Sequence, residues 1–171
     1  AVFGLWHVLD SERPESATSL PKPARPAVAV IPFENLGGMP DDDYFANGIT
    51  ADLITDLSKL KGLLVIAPGS VFAYRDGGTE PAQLSSELGV DYLVTGTVQR
   101  RGQGLRINVN LIEARSGRAL WGERYAGGLE QVFGMQDRIT AGVVAAMEVE
   151  LVPAEQYLLA SRPTTSITAY D

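Results

Sequence analysis

One stretch, residues 26–61, constrains the fold of this chain more than any other. It begins with a short apolar run at 27–33 that is rich in β-branched residues, which is typical of a buried strand. A loop with two glycines and a proline follows, and then apolar side chains recur at spacings of four and three, which places them on one helical face. These are Phe45, Ile49, Leu53, Leu57 and Leu60. The stretch therefore predicts a strand and a long amphipathic helix that nucleate the core.

The rest of the chain alternates between helical and strand patterns. Proline in a first turn and glycine at an end bound a second helix, and from Val90 the hydrophobic period changes to two. After the first strand and helix, the predicted elements are a strand at 63–67, a helix at 81–88, strands at 90–100, 104–114 and 119–126, and a helix at 129–151. This order, β-α-β-α-β-β-β-α, predicts an α/β (α+β) fold with a single mixed sheet and helices mainly on one face.

The last predicted helix has its own apolar side. Its members are Leu129, Val132, Phe133, Ile139, Val143, Met147 and Leu151. Because proline cannot donate a backbone hydrogen bond, Pro153 and Pro163 predict a frayed segment after this helix.

Composition excludes several classes of function. The 171 residues are 45% hydrophobic, which favours one domain with tails, and the net charge of −7 argues against a phosphate-binding surface for nucleic acid. The chain has no cysteine, and its single histidine, His7, lies in the N-terminal tail. Cysteine ligands, thiolate catalysis and a histidine-activated nucleophile are therefore absent from the globular part. We expect no catalytic residue, no metal and no cofactor, so this piece is not predicted to be an enzyme.

The two ends of the chain do not carry the pattern of a packed domain. Residues 1–9 are apolar except for His7, and they are either the end of a membrane helix or a short helix or tail. Residues 10–26 carry four prolines among polar side chains and predict a linker. The domain is expected to span 27–152, and 153–171 is expected to be a tail.

Two groups of polar residues are candidates for binding. If helices cover one face of the sheet, strand alternation leaves a polar set on the other face, where it is either solvated or used as an interaction surface. This set is Thr95, Thr97, Gln99, Arg106, Asn108 and Asn110. The second candidate is a ligand loop between the first strand and helix, and it consists of Asn35, Gly37, Gly38, Asp41, Asp42 and Asp43.

Each candidate has an alternative. The three aspartates are more simply helix-capping and dipole-compensating groups, because they would repel a phosphate and are poorly spaced for calcium. Glu113 and Glu123 could form a carboxylate pair on adjacent strands, as a hydrolase would need, or could be ordinary strand carboxylates. Trp121 and Tyr125 share one strand face, as part of the core or as a partner-binding patch.

Several blocks together resemble a known family. They are VAVIPFENLGG, DDDYFANGITADLITDLSKLKGLLVIA, LGVDYLVTGTVQR and RINVNLIEARSGRALWGERYAGGLEQVFGMQDRI, and they extend over most of the chain from about 27 to 151. This combination resembles the TolB-N-like (FlgO-like) domain of bacterial signalling proteins. In that family the domain commonly follows a membrane helix, and tetratricopeptide-type repeats often come after it. A class III adenylate/guanylate cyclase or a winged-helix DNA-binding domain usually lies upstream.

The resemblance implies a function for the chain as part of a longer protein. It would be a non-catalytic regulatory and protein-interaction module of a membrane-anchored signalling protein, such as an adenylate/guanylate cyclase, on the periplasmic side of the inner membrane. Expected partners are the flanking repeats, another protein or a second copy, with the membrane reached through an N-terminal helix. The alternatives are a small-ligand sensor, which would bind between the Gly37–Gly38 loop and segment 68–78, and a carboxylate-dependent hydrolase.

Overall fold

A computed structural model of the chain describes residues 25–160, with side chains described as far as residue 148. The elements are β1 (Ala27–Val30), β2 (Glu34–Asn35), α1 (Pro40–Ser58), β3 (Leu64–Val65), α2 (Pro68–Val71), α3 (Pro81–Leu88), β4 (Tyr92–Arg101), β5 (Gly104–Glu113), β6 (Arg118–Gly128) and α4 (Val132–Ala160). The predicted membrane-helix end at 1–9 lies outside the described residues. So do residues 10–24 of the predicted linker and 161–171 of the predicted tail.

A single mixed sheet organises the domain. Its strand order is β3-β1-β4-β5-β6, and the two-residue strand β2 pairs with β4 beyond the end of β1. β1 runs parallel to both β3 and β4, whereas β4, β5 and β6 form an antiparallel meander. The predicted α/β class and mixed sheet are confirmed, and β2 and the single-turn helix α2 are additions to the predicted order.

The main core lies between the sheet and the two long helices. α1 and α4 run side by side, and Leu53 of α1 and Val143 of α4 are fully buried. From the sheet, alternate residues of β5 such as Ile107 and Leu111 turn toward these helices and are completely excluded from solvent. Burying each such side chain stabilises the fold by roughly 1.5–3 kcal/mol before the entropy of ordering is subtracted.

In the part of the chain that the structure describes, the other face of the sheet is covered only at its parallel end. Ala29 and Leu93 are paired across β1 and β4 and alternate away from α1, yet both are fully buried. The crossovers from β1 to β3 and from β3 to β4 travel in opposite directions. A crossover between parallel strands is right-handed in nearly all proteins, and two right-handed crossovers in opposite directions lie on opposite faces. The segment with α2 and α3 therefore lies on the face opposite α1. Within residues 25–160, no element covers the antiparallel end of this face.

The last helix differs from its predicted form at both ends. A single 3₁₀ turn occupies Leu129–Gln131, and the buried stripe of α4 then runs through Met135, Ile139, Val143 and Met147. Phe133 is 72% exposed, so its predicted place on the apolar side is wrong. At 100° per residue it lies about 200° from Met135 and points away from the core. The helix also continues past Pro153 to Ala160 rather than fraying there.

Candidate functional site

The six polar residues predicted on the sheet do share one open face of β4 and β5. The antiparallel register sets them directly opposite one another in three pairs, because cross-strand neighbours project to the same side of a sheet. The pairs are Thr95 with Asn110, Thr97 with Asn108, and Gln99 with Arg106. Arg106 and Asn110 are exposed and the others are half-buried. The placement follows the sequence alternation, and the role of these residues in binding stays a prediction.

Side-chain hydrogen bonds fix the centre of this face. The Asn108 amide donates to the Thr97 hydroxyl over 2.9 Å, and its carbonyl oxygen accepts from Nε of Arg124 over 3.0 Å. Arg124 belongs to β6 and lies opposite Asn108 in the register. One ladder therefore links all three strands, and it holds an arginine in place on an open surface.

We define the sheet platform as the residues of β4, β5 and β6 that project from this open face. Beyond the predicted six, it contains Arg101, Gly122, Arg124 and Ala126. The sequence argument missed Arg101 because it ended that strand at residue 100, and it missed the other three because it followed the alternation through only two strands. Continuing the same alternation into β6 places Arg124 on this face, and its position in the strand is the only sequence signal that identifies it.

The predicted ligand loop is held together by its own polar groups. The side chain of Asn35 donates to the carbonyl of Met39 over 3.0 Å and to the carboxylate of Asp43 over 2.8 Å. Its carbonyl oxygen accepts from the backbone N–H of Gly37 over 2.7 Å. The amide nitrogen and the carbonyl oxygen of Asn35 are thus both hydrogen-bonded within the loop, so neither group is available to a ligand.

The three aspartates lie in the first turn of α1, where they compensate the helix dipole as expected, but contrary to expectation they do not cap the helix through their side chains. The N-cap residue is Met39, with no side-chain cap bond, and Pro40 occupies the first turn. Asp42 is instead buried and lies 3.6 Å from the guanidinium of Arg100, at the end of β4. A Cβ on Gly37 would come within 2.7 Å of the Asp42 carboxylate, so any other residue there would require that carboxylate to move. The loop is tied to the sheet by packing and charge.

A cleft does open between this loop and the segment that was predicted to face it. Its volume is about 260 Å³, and it lies beside Arg75 and Asp76 of segment 68–78. The remaining lining residues are Pro32, Phe33, Glu34, Asn35, Asp43 and Asn47. One arginine, two amides and three carboxylates line this cleft, and its binding of a small ligand stays a prediction.

The register of β5 and β6 decides whether the carboxylate pair considered for a hydrolase can form. Glu113 lies opposite Arg118, whereas Glu123 lies opposite Val109, so the two carboxylates are not brought together. The carboxylate pair expected for a hydrolase is not formed. Within residues 25–148, no group of three histidine, cysteine or acidic side chains is arranged to hold a metal.

Trp121 and Tyr125 face the core rather than the platform. Tyr125 is 2% exposed, its ring lies beneath the guanidinium of Arg138, and its hydroxyl donates to Glu123 over 3.0 Å. Burial, and secondly the bond to Glu123, raise the pKa of Tyr125 to about 12. Gly142 of α4 leaves the room that both rings need, since a Cβ there would meet Trp121 at 2.7 Å. Tyr125 therefore belongs to the core, and Trp121 packs against it while staying partly exposed.

No described helix combines the length and hydropathy required to cross a membrane. That observation concerns residues 25–160 alone.

The sequence matches a family profile over most of its length. The profile is that of the HilA/YgeH-like transcriptional regulator, second domain, and the match covers residues 24–142.

Relatives of known sequence are considerably longer than this chain. The candidate adenylate cyclase 3 of Rhizobium meliloti is 46% identical over 149 residues, which are 87% of this chain and 25% of that protein. The Tol-Pal system protein TolB of Alkalilimnicola ehrlichii is 31% identical over 100 residues, which are 57% of this chain and 22% of that protein. The chain thus spans about a quarter of the length of the curated relatives it matches.

Solved structures share the fold at low sequence identity. The lipoprotein GNA1162 from Neisseria meningitidis superposes with a TM-score of 0.52 and 18% identity, over 72% of this chain and 98% of that one. The similarities to TolB and to the cyclase relative support a TolB-N-like (FlgO-like) domain, which confirms that part of the sequence interpretation. The signalling architecture expected around the domain stays a prediction.

Proposed function

The chain belongs to the HilA/YgeH-like transcriptional regulator second-domain family, and from that membership we propose that it is a non-catalytic interaction module of a larger signalling protein. The output domain of that protein would be a nucleotide cyclase or a DNA-binding regulator, as the names of the relative and the family suggest. The module itself would sit on the periplasmic side of the inner membrane, and a membrane helix would connect it to the output domain.

One observation carries the proposal, namely the sheet platform. Residues 25–160 cover the core on the helix side, yet none of them covers the antiparallel end of the opposite face. A purely solvating strand surface is commonly rich in lysine and glutamate, whereas this one is dominated by amides, hydroxyls and arginine, a composition suited to a wet protein interface. The Thr97–Asn108–Arg124 ladder presets part of it, so little side-chain entropy is lost on binding.

Association with the segment that follows the chain in its parent protein tests this function. Isothermal titration calorimetry would compare the wild type with a variant that carries Arg106→Glu and Asn108→Asp. The aspartate preserves the acceptor for Arg124 and removes only the donor to Thr97, so we expect the melting temperature to change little. We expect weaker association, since a reversed rim charge repels the partner's complementary group.

Two results would contradict the proposal. Equal affinity for the wild type and the variant would mean that the platform is scaffold only. An unfolded double variant would mean that these residues stabilise the core. The single substitution Arg106→Glu, at an exposed position, checks this reading, because it would then have to lower the stability as well.

A second candidate function rests on the cleft between the loop and Arg75. A small polar ligand would fit its volume of about 260 Å³. A thermal-shift screen with nucleotides, metals and cell-wall fragments tests it, because a ligand at 100 times its dissociation constant adds about 2.7 kcal/mol of stability. Stabilisation that persists in Arg75→Ala would place the ligand elsewhere.

A further inference from the structure

The sheet platform is the basic surface of an acidic chain. The protein has a net charge of −7. The residues that β4, β5 and β6 project from the open face nevertheless include Arg101, Arg106 and Arg124, and among them there is no aspartate or glutamate. All three arginines are exposed. The formal charge of the residues on this face is therefore opposite in sign to the net charge of the molecule.

The three guanidinium groups are not neutralised within the domain. Within residues 25–148, ion pairs such as Lys59–Asp56 and Arg100–Asp42 lie elsewhere, and none observed there involves Arg101, Arg106 or Arg124. Arg124 is oriented by the neutral carbonyl of Asn108 rather than by a carboxylate. The positive charge of the platform is thus available to a partner.

Two of the arginines flank a shallow cleft at the hairpin end of the platform. The cleft has a volume of about 260 Å³ and is lined by Gln99, Arg101, Gly104, Leu105, Arg106, Ala126 and Gly127. Glycine and alanine form much of its floor and leave room for a side chain from outside. Arginine presents a rigid fork of donors that matches a carboxylate in two parallel hydrogen bonds. An amide from Gln99 adds a further donor beside that fork.

We propose that the sheet platform docks an acidic protein surface, with carboxylate side chains of the partner received between Arg101 and Arg106 and beside Arg124. This inference rests on the proposed function and names the chemistry of the partner. A phosphate backbone is the less suitable occupant. Nucleic-acid and anionic-membrane binding draw on many clustered basic groups, whereas the platform has three on a chain that repels polyanions overall.

The experiment measures binding of a short fluorescein-labelled polyglutamate peptide by anisotropy, and maps it by amide chemical shifts in NMR spectra. We expect shifts confined to β4, β5 and β6, and an affinity that falls as ionic strength rises. The variant with Arg101→Glu and Arg106→Glu should bind at least about tenfold more weakly. The matched control, Lys61→Glu with Arg115→Glu, has the same net charge at exposed positions outside the platform and should keep most of the affinity.

Three outcomes overturn the inference. They are no binding of the peptide, equal losses in the variant and in the control, and tighter binding of duplex DNA or phosphatidylserine vesicles than of the peptide at equal salt. Failure here is distinguishable from failure of the proposed function. If polyglutamate does not bind while Arg106→Glu with Asn108→Asp still weakens association with the adjoining segment, the platform is an interface whose partner is not acidic.

Discussion

Gly96 offers the sharpest test of the packing that holds the platform in register. It lies in β4 between Thr95 and Thr97, but it turns toward the core, opposite Val109. A Cβ at this position would lie 2.6 Å from the backbone carbonyl oxygen of Asn108 and 2.8 Å from two ring carbons of Phe33. Distances this short require either the strand or the aromatic ring to move. Gly96→Ala therefore probes both the platform and its support.

The magnitude follows from which atoms obstruct the methyl group. Overpacking a well-packed core by one methyl usually costs about 1–3 kcal/mol, and a backbone atom in the way puts this site at the upper end. Phe33 is 4% exposed, and its backbone N–H donates to the buried hydroxyl of Thr50 over 3.0 Å, so the ring cannot swing away freely. We expect Gly96→Ala to lower the free energy of unfolding by about 2–3 kcal/mol.

Urea denaturation followed by circular dichroism measures this cost. The control is Gly48→Ala, because Gly48 is an exposed position inside α1 where a Cβ meets nothing within 4 Å. There the same substitution should raise stability by about 0.5–1 kcal/mol, through helix propensity. Phe33→Leu should relieve part of the cost of Gly96→Ala, with a coupling of at least about 0.5 kcal/mol. Equal midpoints for Gly96→Ala and the wild type would refute the reasoning.

Three further predictions follow from burial and from the tails. Leu53→Ala should cost roughly 2–4 kcal/mol by urea denaturation, because it empties a fully buried site, whereas Ser58→Ala on the exposed side of α1 should stay within about 0.5 kcal/mol; equal midpoints would show that the helix faces are misassigned. Tyr125 has a pKa near 12 in the folded protein, above its ordinary 10.0, so the neutral phenol stabilises the fold below pH 10 and that stability, about 2–3 kcal/mol, is lost between pH 10 and 12. Tyr125→Phe should lack this part of the pH dependence in denaturation curves, and parallel curves would contradict it. A non-specific protease should cut 10–26 and 161–171 before the domain, since α4 continues to Ala160, and a persistent full-length band would count against those boundaries.

Strand periodicity correctly predicted that the six polar residues of β4 and β5 share a face, because a short turn between two antiparallel strands fixes which residues lie opposite one another. Gly102 adopts φ +59 in the turn between β4 and β5, which fixes the pairing of Thr97 with Asn108. Once that register is set, alternation decides which side chains share a face. The same rule separates Glu113 from Glu123, but only a residue count along both strands reveals it, and an irregularity near Leu111 shifts that count.

Long-range contacts were beyond the sequence. Nothing local distinguishes Asp42 from Asp41, yet Asp42 is buried against Gly37 and Arg100 because of how the loop returns to the end of β4. The sequence spacing is compatible with Phe133 on the apolar stripe of the last helix. Because α4 begins only after a 3₁₀ turn, the buried stripe has a different phase and Phe133 points to solvent. Tertiary packing decides such cases, because helical spacing leaves the phase of a helix undetermined near its ends.

Site-directed labelling measures most directly whether the sheet platform is the docking surface. The chain has no cysteine, so a single Asn110→Cys on the platform and a single Asp137→Cys on α4 each introduce one thiol at an exposed position. Maleimide labelling rates would be compared between the isolated chain and the same chain within its parent protein. The account predicts that the thiol at position 110 reacts much more slowly in the parent protein, while the thiol at position 137 keeps its rate. Unchanged labelling at 110, or protection at 137 alone, would contradict it.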